Sequence, residues 1–187
     1  MSERTPRLYT LEGCRIGVRP PTAADVPASA AAIRRSEHIA RWNPADPDDL
    51  PNLIRLQSDT FRTFLAVDIA DYALAGRINV ANIARGRFCN ATLGYDAYRP
   101  YAGTGRMTEA LALVVDRAFA PDGLSLHRLE INVQPGNERS IALARRLGFR
   151  HEGFTPRMLF LNGGWRDHER FAITAEEWPG TAKLLAS

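Results

Sequence analysis

The stretch Leu93 to Ala110, LGYDAYRPYAGTGRMTEA, runs strand, glycine loop and amphipathic helix in succession, and it constrains the fold of the chain more than any other segment. Gly103 and Gly105 permit a tight backbone turn and a close approach to a ligand. The amides from about Ala102 to Met107 stand at a helix start, where intrahelical acceptors are lacking. Those donors and the positive end of the helix dipole form a seat for a phosphate or pyrophosphate without any side-chain charge. A GxG alone also describes an ordinary strand-to-helix turn, so its meaning depends on the rest of the chain.

Some thirty residues later, HRLEINVQPGNERSIALARRLGFRHEG repeats the order of strand, cap, helix and stop. Leu129, Ile131 and Val133 alternate with Glu130, Asn132 and Gln134, the period of a strand whose polar face is available to line a cleft. Asn137 is placed to cap a helix carrying Ile141, Ala144 and Leu147 on one side, and Gly148 closes it.

The remaining elements follow from alternation and punctuation. Leu8 to Arg19 reads as a first strand stopped by Pro20 and Pro21, after a polar start over residues 1–7 that is expected to fray. Thr22 or Asp25 opens a helix continuing through Ala28 to Ile39, and Trp42, Asn43 and Pro44 break it. Asp46 to Asp49 cap a second helix with Leu53, Leu56 and Thr60 on one face. Phe64 to Ile69, Ala73 to Val80 and Asn90 to Asp96 are strands, and the glycine pair in NGGWRDH, Asn162 to His168, turns one late strand into the next. The order of strand, two helices, three strands, helix, strand, helix and two strands predicts an α+β domain, not a repeated βαβ array.

At 187 residues with 45% hydrophobic content, one domain spanning residues 1–187 is expected. The chain has no 20-residue apolar span, no apolar leader and no repeat period, which points away from membranes, export and solenoids and towards the cytoplasm. Cys14 and Cys89 are isolated thiols and the four histidines are scattered, so neither a disulfide framework nor a metal site is expected. A net charge of +3 without a basic stripe does not call for direct nucleic-acid binding. Lys183 is the only lysine, a bias that genome composition explains.

With both motifs in this order, the chain resembles the GNAT acyltransferases, and within them the Rim-type (RimJ/RimL-like) ribosomal-protein N-terminal acetyltransferases. The residues carrying the resemblance are LGY at Leu93 to Tyr95, GTGRMTEAL at Gly103 to Leu111, His127 and Arg128, the run from Asn137 through Ser140 to Gly148 and Phe149, and NGGWRDH. It covers Arg15 to about Thr174. Against the family's Q/R-x-x-G-x-G/A loop, Pro100 stands at the Gln or Arg position and Arg99 lies directly before it. The resemblance implies a mixed, mostly antiparallel sheet flanked by about four helices, with acetyl-CoA as co-substrate. It assigns coenzyme contacts to Leu93, Gly94, Tyr95, Ala97, Arg99, Ala102, Gly103, Thr104, Gly105, Arg106, Met107, Asn132, Asn137 and Ser140. It further implies a protein N-terminal amine as acceptor, Ala or Ser, and allows a homodimer through the late strands.

Transfer of an acetyl group from a thioester to an amine needs a proton acceptor for the ammonium, donors for the developing oxyanion and a proton for the departing thiolate. By resemblance, Gly94 to Ala97 serve the carbonyl and Ser140 the thiolate, although Ser140 also fits a plain capping role. Some relatives carry a glutamate where Leu159 stands here, which leaves Glu130 and Asp96 to relay a proton through water, or to form salt bridges with arginine. Trp42 and Tyr98 are either core or acceptor mouth, and Asp167 and His168 read as a structural hydrogen-bonded pair. The absence of a cysteine in either motif favours direct transfer over an acyl-enzyme. Alternatives are a small-molecule amine or lysine acceptor, a longer acyl donor, and a regulatory domain that binds coenzyme A without turnover.

Overall fold

The computed structural model describes residues 6–186, so the expectation of a frayed start lies, for residues 1–5, outside the described residues. Leu8 to Arg19 is not one strand. Gly13 takes φ +85°, the chain turns there, and Tyr9 exchanges two N–H···O bonds of 2.8 Å with Val18, leaving β1 (Ile16–Arg19) as the regular strand. After the two prolines, the Asp25 carboxylate accepts from the N–H and the hydroxyl of Thr22, and α1 (Val26–Arg34) follows. The helix does not run to Ile39. Ser36 donates its hydroxyl to the Ala32 carbonyl at 2.7 Å, occupying the acceptor that the next helical amide would use, and only a short 3-10 turn follows.

In α2 (Leu50–Arg55), Leu50 and Leu53 are buried and Leu56 is exposed, so the face expected to run on to Thr60 ends with the helix. The remaining elements are β2 (Arg62–Asp68), β3 (Leu74–Ala84), β4 (Asn90–Ala97), α3 (Arg106–Phe119), β5 (Arg128–Val133), α4 (Glu138–Arg146), β6 (Arg150–Leu161), β7 (Gly164–Thr174) and α5 (Thr181–Leu185). The strands form one seven-stranded sheet ordered β1-β2-β3-β4-β5-β7-β6, in which only β4 and β5 run parallel.

The two apolar clusters lie on opposite faces. Ile33, Leu50 and Leu53 from α1 and α2 meet Leu65, Val67 and Tyr98. On the other side Leu111 and Val115 of α3 and Ile141 and Ala144 of α4 meet Ile78, Leu129 and Ile131. Burying each large aliphatic side chain contributes about 1.5–3 kcal/mol, and this fixes which face of β5 is inward. Glu130 and Asn132 therefore look towards the α1 and α2 side, over a part of the sheet those short helices do not cover.

The turn between β6 and β7 uses Asn162 (φ +50°) and Gly163 (φ +75°), a two-residue hairpin turn with both central residues left-handed, and not the Gly163–Gly164 pair; Gly164 is already the first residue of β7. Among the described residues, no helix is long and apolar enough to cross a membrane, and no group of three or more metal-binding side chains converges.

Candidate active site

The site forms where the parallel strands part. Pairing of β4 with β5 runs from Asn90↔Arg128 to Leu93↔Ile131 and ends there, while β4 stays paired with β3 through Gly76↔Ala97. Gly94 to Ala97 thus keep one edge of backbone groups outside the ladder, on which His38 Nε2 meets the Ala97 carbonyl at 3.1 Å. Gly94 is exposed, with nothing within 4 Å of where a Cβ would stand. A linear ligand can lie along that edge and hydrogen-bond to it as an added strand would.

The loop after β4 is the candidate anion seat, with a narrower donor set than the sequence predicts. The Ala102 N–H is taken up by the Tyr98 carbonyl at 2.8 Å and that of Thr104 by Tyr101 at 3.2 Å, so these two expected donors are spent inside the loop. The N–H groups of Gly103, Gly105, Arg106 and Met107 have no backbone acceptor among the described residues. Gly103 at φ +82° and Gly105 at φ +85° hold them in this arrangement. Met107 anchors the start of α3 against β3, where a Cβ at Gly76 would collide with its Cε.

Two of the arginines around the loop, Arg15 and Arg106, are already paired. Glu109, buried in the first turn of α3, accepts from the Arg15 N–H and Nε at 2.8 Å each and from its Nη2, and that Nη2 also reaches the Thr104 carbonyl at 3.3 Å. Arg15 thereby cancels a carboxylate that would repel an anion at the helix start. Arg106 pairs with Asp68 and lies over the Tyr101 ring at 5.2 Å. Arg99 lines a cleft of about 400 Å³ with Arg19 and Arg35, beside Pro100 and Tyr101. The seat consists of backbone donors and a helix terminus, a donor set that suits the pyrophosphate of a coenzyme.

Across the gap, the Asn137 side chain caps α4 by accepting from the Ser140 N–H at 3.4 Å, and Gly148 at φ +82° ends the helix. The Tyr95 hydroxyl donates to the Ser140 carbonyl at 3.4 Å, linking β4 to α4 over the floor of the gap. Burial pushes the Tyr95 phenol up to about 12, so it stays protonated.

The two acids expected as proton relays sit in different surroundings. Asp96, only 4% exposed, accepts from Arg77 Nη2 and Asn43 Nδ2 at 2.8 Å each, so both oxygens are engaged and Asp96 ties the loop before α2 to the sheet. Glu130 accepts from Arg128 Nε at 2.9 Å through Oε1, and no bond engages its Oε2 among the described residues. Arg128 also holds Glu152, which Arg150 approaches at 2.7 Å. Asn132 lies one residue beyond the last β4–β5 pair, and its Oδ1 is buried without a partner among the described residues.

The Glu152 network predicts acid sensitivity. Hydrogen bonds from Arg128, with further help from Arg150, hold the Glu152 carboxyl at about 2, below its unfolded value of 4.5. A depressed carboxylate stabilises the fold above the unfolded pKa, and this contribution is lost as pH falls from about 4.5 towards 2. Glu152→Gln should therefore cost on the order of 3 kcal/mol at pH 7 and nearly nothing at pH 2. Urea unfolding of both proteins across that range checks it, and a gap independent of pH would refute it.

One rim of the cleft comes from residues 40–43. Gln134 Nε2 donates to the Trp42 carbonyl at 2.6 Å, the Trp42 ring stands over Gly136, and Asn162 Nδ2 reaches the Ala40 carbonyl at 3.1 Å. Trp42 is thus a rim residue, whereas Tyr98 is fully buried core. Asp167 and His168 do not form the expected pair. Strand alternation points them to opposite faces, Asp167 accepting from the Arg157 N–H at 2.8 Å while His168 Nδ1 meets the Arg166 carbonyl at 3.0 Å. Sequence reasoning missed the Arg15–Glu109 pair, whose members lie 94 positions apart, and Arg170, whose only signal is its place on the polar side of β7.

Comparison with known proteins agrees with this geometry. Residues 15–150 match the acetyltransferase (GNAT) domain family. The chain is 38% identical over 119 residues to the "Probable N-acetyltransferase YjcK" of Bacillus subtilis, covering 64% of this chain and 65% of that protein. It is 37% identical over 108 residues to the [ribosomal protein uS5]-alanine N-acetyltransferase of Escherichia coli, covering 57% of this chain and 55% of the relative. The similarity therefore spans less than two thirds of the length of these curated relatives. Among solved structures, Mycobacterium smegmatis RimJ in complex with CoA-disulfide superposes with a TM-score of 0.81 at 30% identity, over 91% of this chain and 88% of RimJ.

Proposed function

Because the chain belongs to the GNAT acetyltransferase family, we propose that it transfers an acetyl group from acetyl-CoA to an amine, and that the acceptor is the N-terminal alanine or serine of a ribosomal protein. The observation that carries this reading is the parting of β4 from β5 directly before a loop of unpaired N–H donors. Acetyl-CoA supplies an activated acyl group on a thiolate leaving group. The N–H groups of Gly103, Gly105, Arg106 and Met107 hold its pyrophosphate, and the open edge from Gly94 to Ala97 binds the pantetheine arm and polarises the carbonyl. Both substrates are held at once, which replaces an encounter in solution by a fixed geometry.

Glu130, whose second oxygen is open to water, relays the proton from the incoming ammonium. Asp96 does not share that task, since Arg77 and Asn43 occupy both of its oxygens. Ser140 lies in the first turn of α4 and relays a proton to the departing thiolate, its hydroxyl taking up a proton from water as it gives one, with the protonated Tyr95 phenol bonded to the Ser140 carbonyl. The enzyme works as one catalytic domain in the cytoplasm. A homodimer is supported by β6, an edge strand that exposes Phe154 and Phe160.

Thiol release from acetyl-CoA with peptides beginning in Ala, Ser or Met, beside spermidine and free amino acids, tests the reading. Turnover confined to Ala and Ser N-termini is the expected result. Turnover with small amines alone would move the function to metabolite acetylation, and none with any amine would leave a coenzyme-binding role.

A further inference from the structure

Arg170 is a cation on the acceptor side that has no hydrogen-bond or ion-pair partner among the described residues. It stands on β7 opposite Asn132 of β5 on one flank and Gly153 of β6 on the other, on the face carrying Glu130. Its Nε is buried with no hydrogen bond, and among the described residues no bond or ion pair engages its other nitrogens either. The neighbouring carboxylates are committed elsewhere: Glu130 and Glu152 to Arg128, and Glu169, on the opposite face, to His151. The guanidinium lies alongside Gly153, where a Cβ would stand in ordinary contact at 3.6 Å from Arg170 Nη2. Arg170 is half-buried, with its Nε shut off from water, and a partly desolvated guanidinium without a counter-charge gains when an anion arrives.

We infer that Arg170 binds a carboxylate on the acceptor, making acidic acceptors the preferred class. The inference rests on the proposed acetyl transfer for the identity of the ligand as acceptor. Asn132, at the end of the β4–β5 pairing, offers its unpartnered Oδ1 to the acceptor amine, and Arg170 lies directly across the strand pair, about 5 Å away between Cβ atoms. The acceptor thus carries its negative group a few bonds beyond the amine. Two sources share this chemistry, an Asp or Glu side chain near the start of a peptide and the terminal carboxylate of a very short one. Arginine suits the task because its planar fork meets a carboxylate through two parallel bonds.

Calorimetric binding to the coenzyme A-loaded protein separates these sources with two matched pairs, Ala-Asp-Ala-amide against Ala-Asn-Ala-amide, and Ala-Ala with a free against an amidated C-terminus. The wild type should bind the charged member of at least one pair about ten- to a hundredfold tighter. Arg170→Gln should lose that ratio, and Arg170→Lys should restore part of it. Equal binding of charged and neutral peptides by the wild type, binding of neither, or an undiminished ratio in Arg170→Gln would overturn the inference. If the charged peptides bind with the Arg170-dependent ratio and none releases thiol from acetyl-CoA, the carboxylate site stands and acetyl transfer falls.

Discussion

Gly105→Glu is expected to weaken coenzyme A binding by about a hundredfold or more, because it puts a carboxylate into the proposed pyrophosphate seat. Gly105 caps α3 at φ +85°, and a Cβ there would already stand 3.2 Å from Arg15 Nη2. The substitution brings a negative charge to four amide donors that hold anions through their own dipoles, and the new carboxylate would compete with the ligand for them. Titration calorimetry of the variant measures the loss. Gly105→Ala separates charge from backbone strain, since it keeps the left-handed conformation strained, at about 1 kcal/mol, and adds no anion. An affinity for coenzyme A unchanged in Gly105→Glu would remove the loop from the binding site.

The second large effect concerns the sheet beneath the cleft. Asp96→Ala should destabilise the protein by about 3–5 kcal/mol, lowering its melting temperature by about 6–20 °C, because it strands a buried guanidinium. Arg77 is 5% exposed, its Nη2 bonds Asp96, and its Nε and Nη1 are buried without partners, so Asp96 is the counter-charge on which it depends. The same change frees Asn43 and with it the segment carrying Trp42. Thermal unfolding provides the measurement, and single-turnover rates on protein that remains folded provide the contrast. A variant with wild-type stability and no acetyl transfer would make Asp96 a proton relay after all.

The local backbone of the expected coenzyme side was legible in the sequence because its signals are local. A glycine that must take positive φ, a first-turn cap and an alternating strand all act within a few residues, and Gly103, Gly105, Asn137, Gly148 and the Leu129, Ile131, Val133 alternation lie where such reasoning puts them. It failed where a residue's neighbour decides. The first strand shortened because Gly13 turned the chain, α1 stopped early because Ser36 took a carbonyl with its own hydroxyl, and Ala102 and Thr104 proved spent within the loop. Asp167 and His168 are adjacent in the chain and separated by the pleat.

The sequence by itself determined the family, the α+β order of elements and the glycine loop that opens α3, because those depend on patterns a few residues long. The tertiary structure alone decided the roles of the charged side chains. Asp96 became a structural counter-ion to Arg77, 19 positions away, Glu109 became the partner of Arg15, 94 positions away, and the pairing of β5 with β7 set Arg170 beside Asn132, without an ion pair among the described residues. A charge acts on whatever lies within a few ångströms of it, and in a mixed sheet those neighbours come from distant parts of the chain.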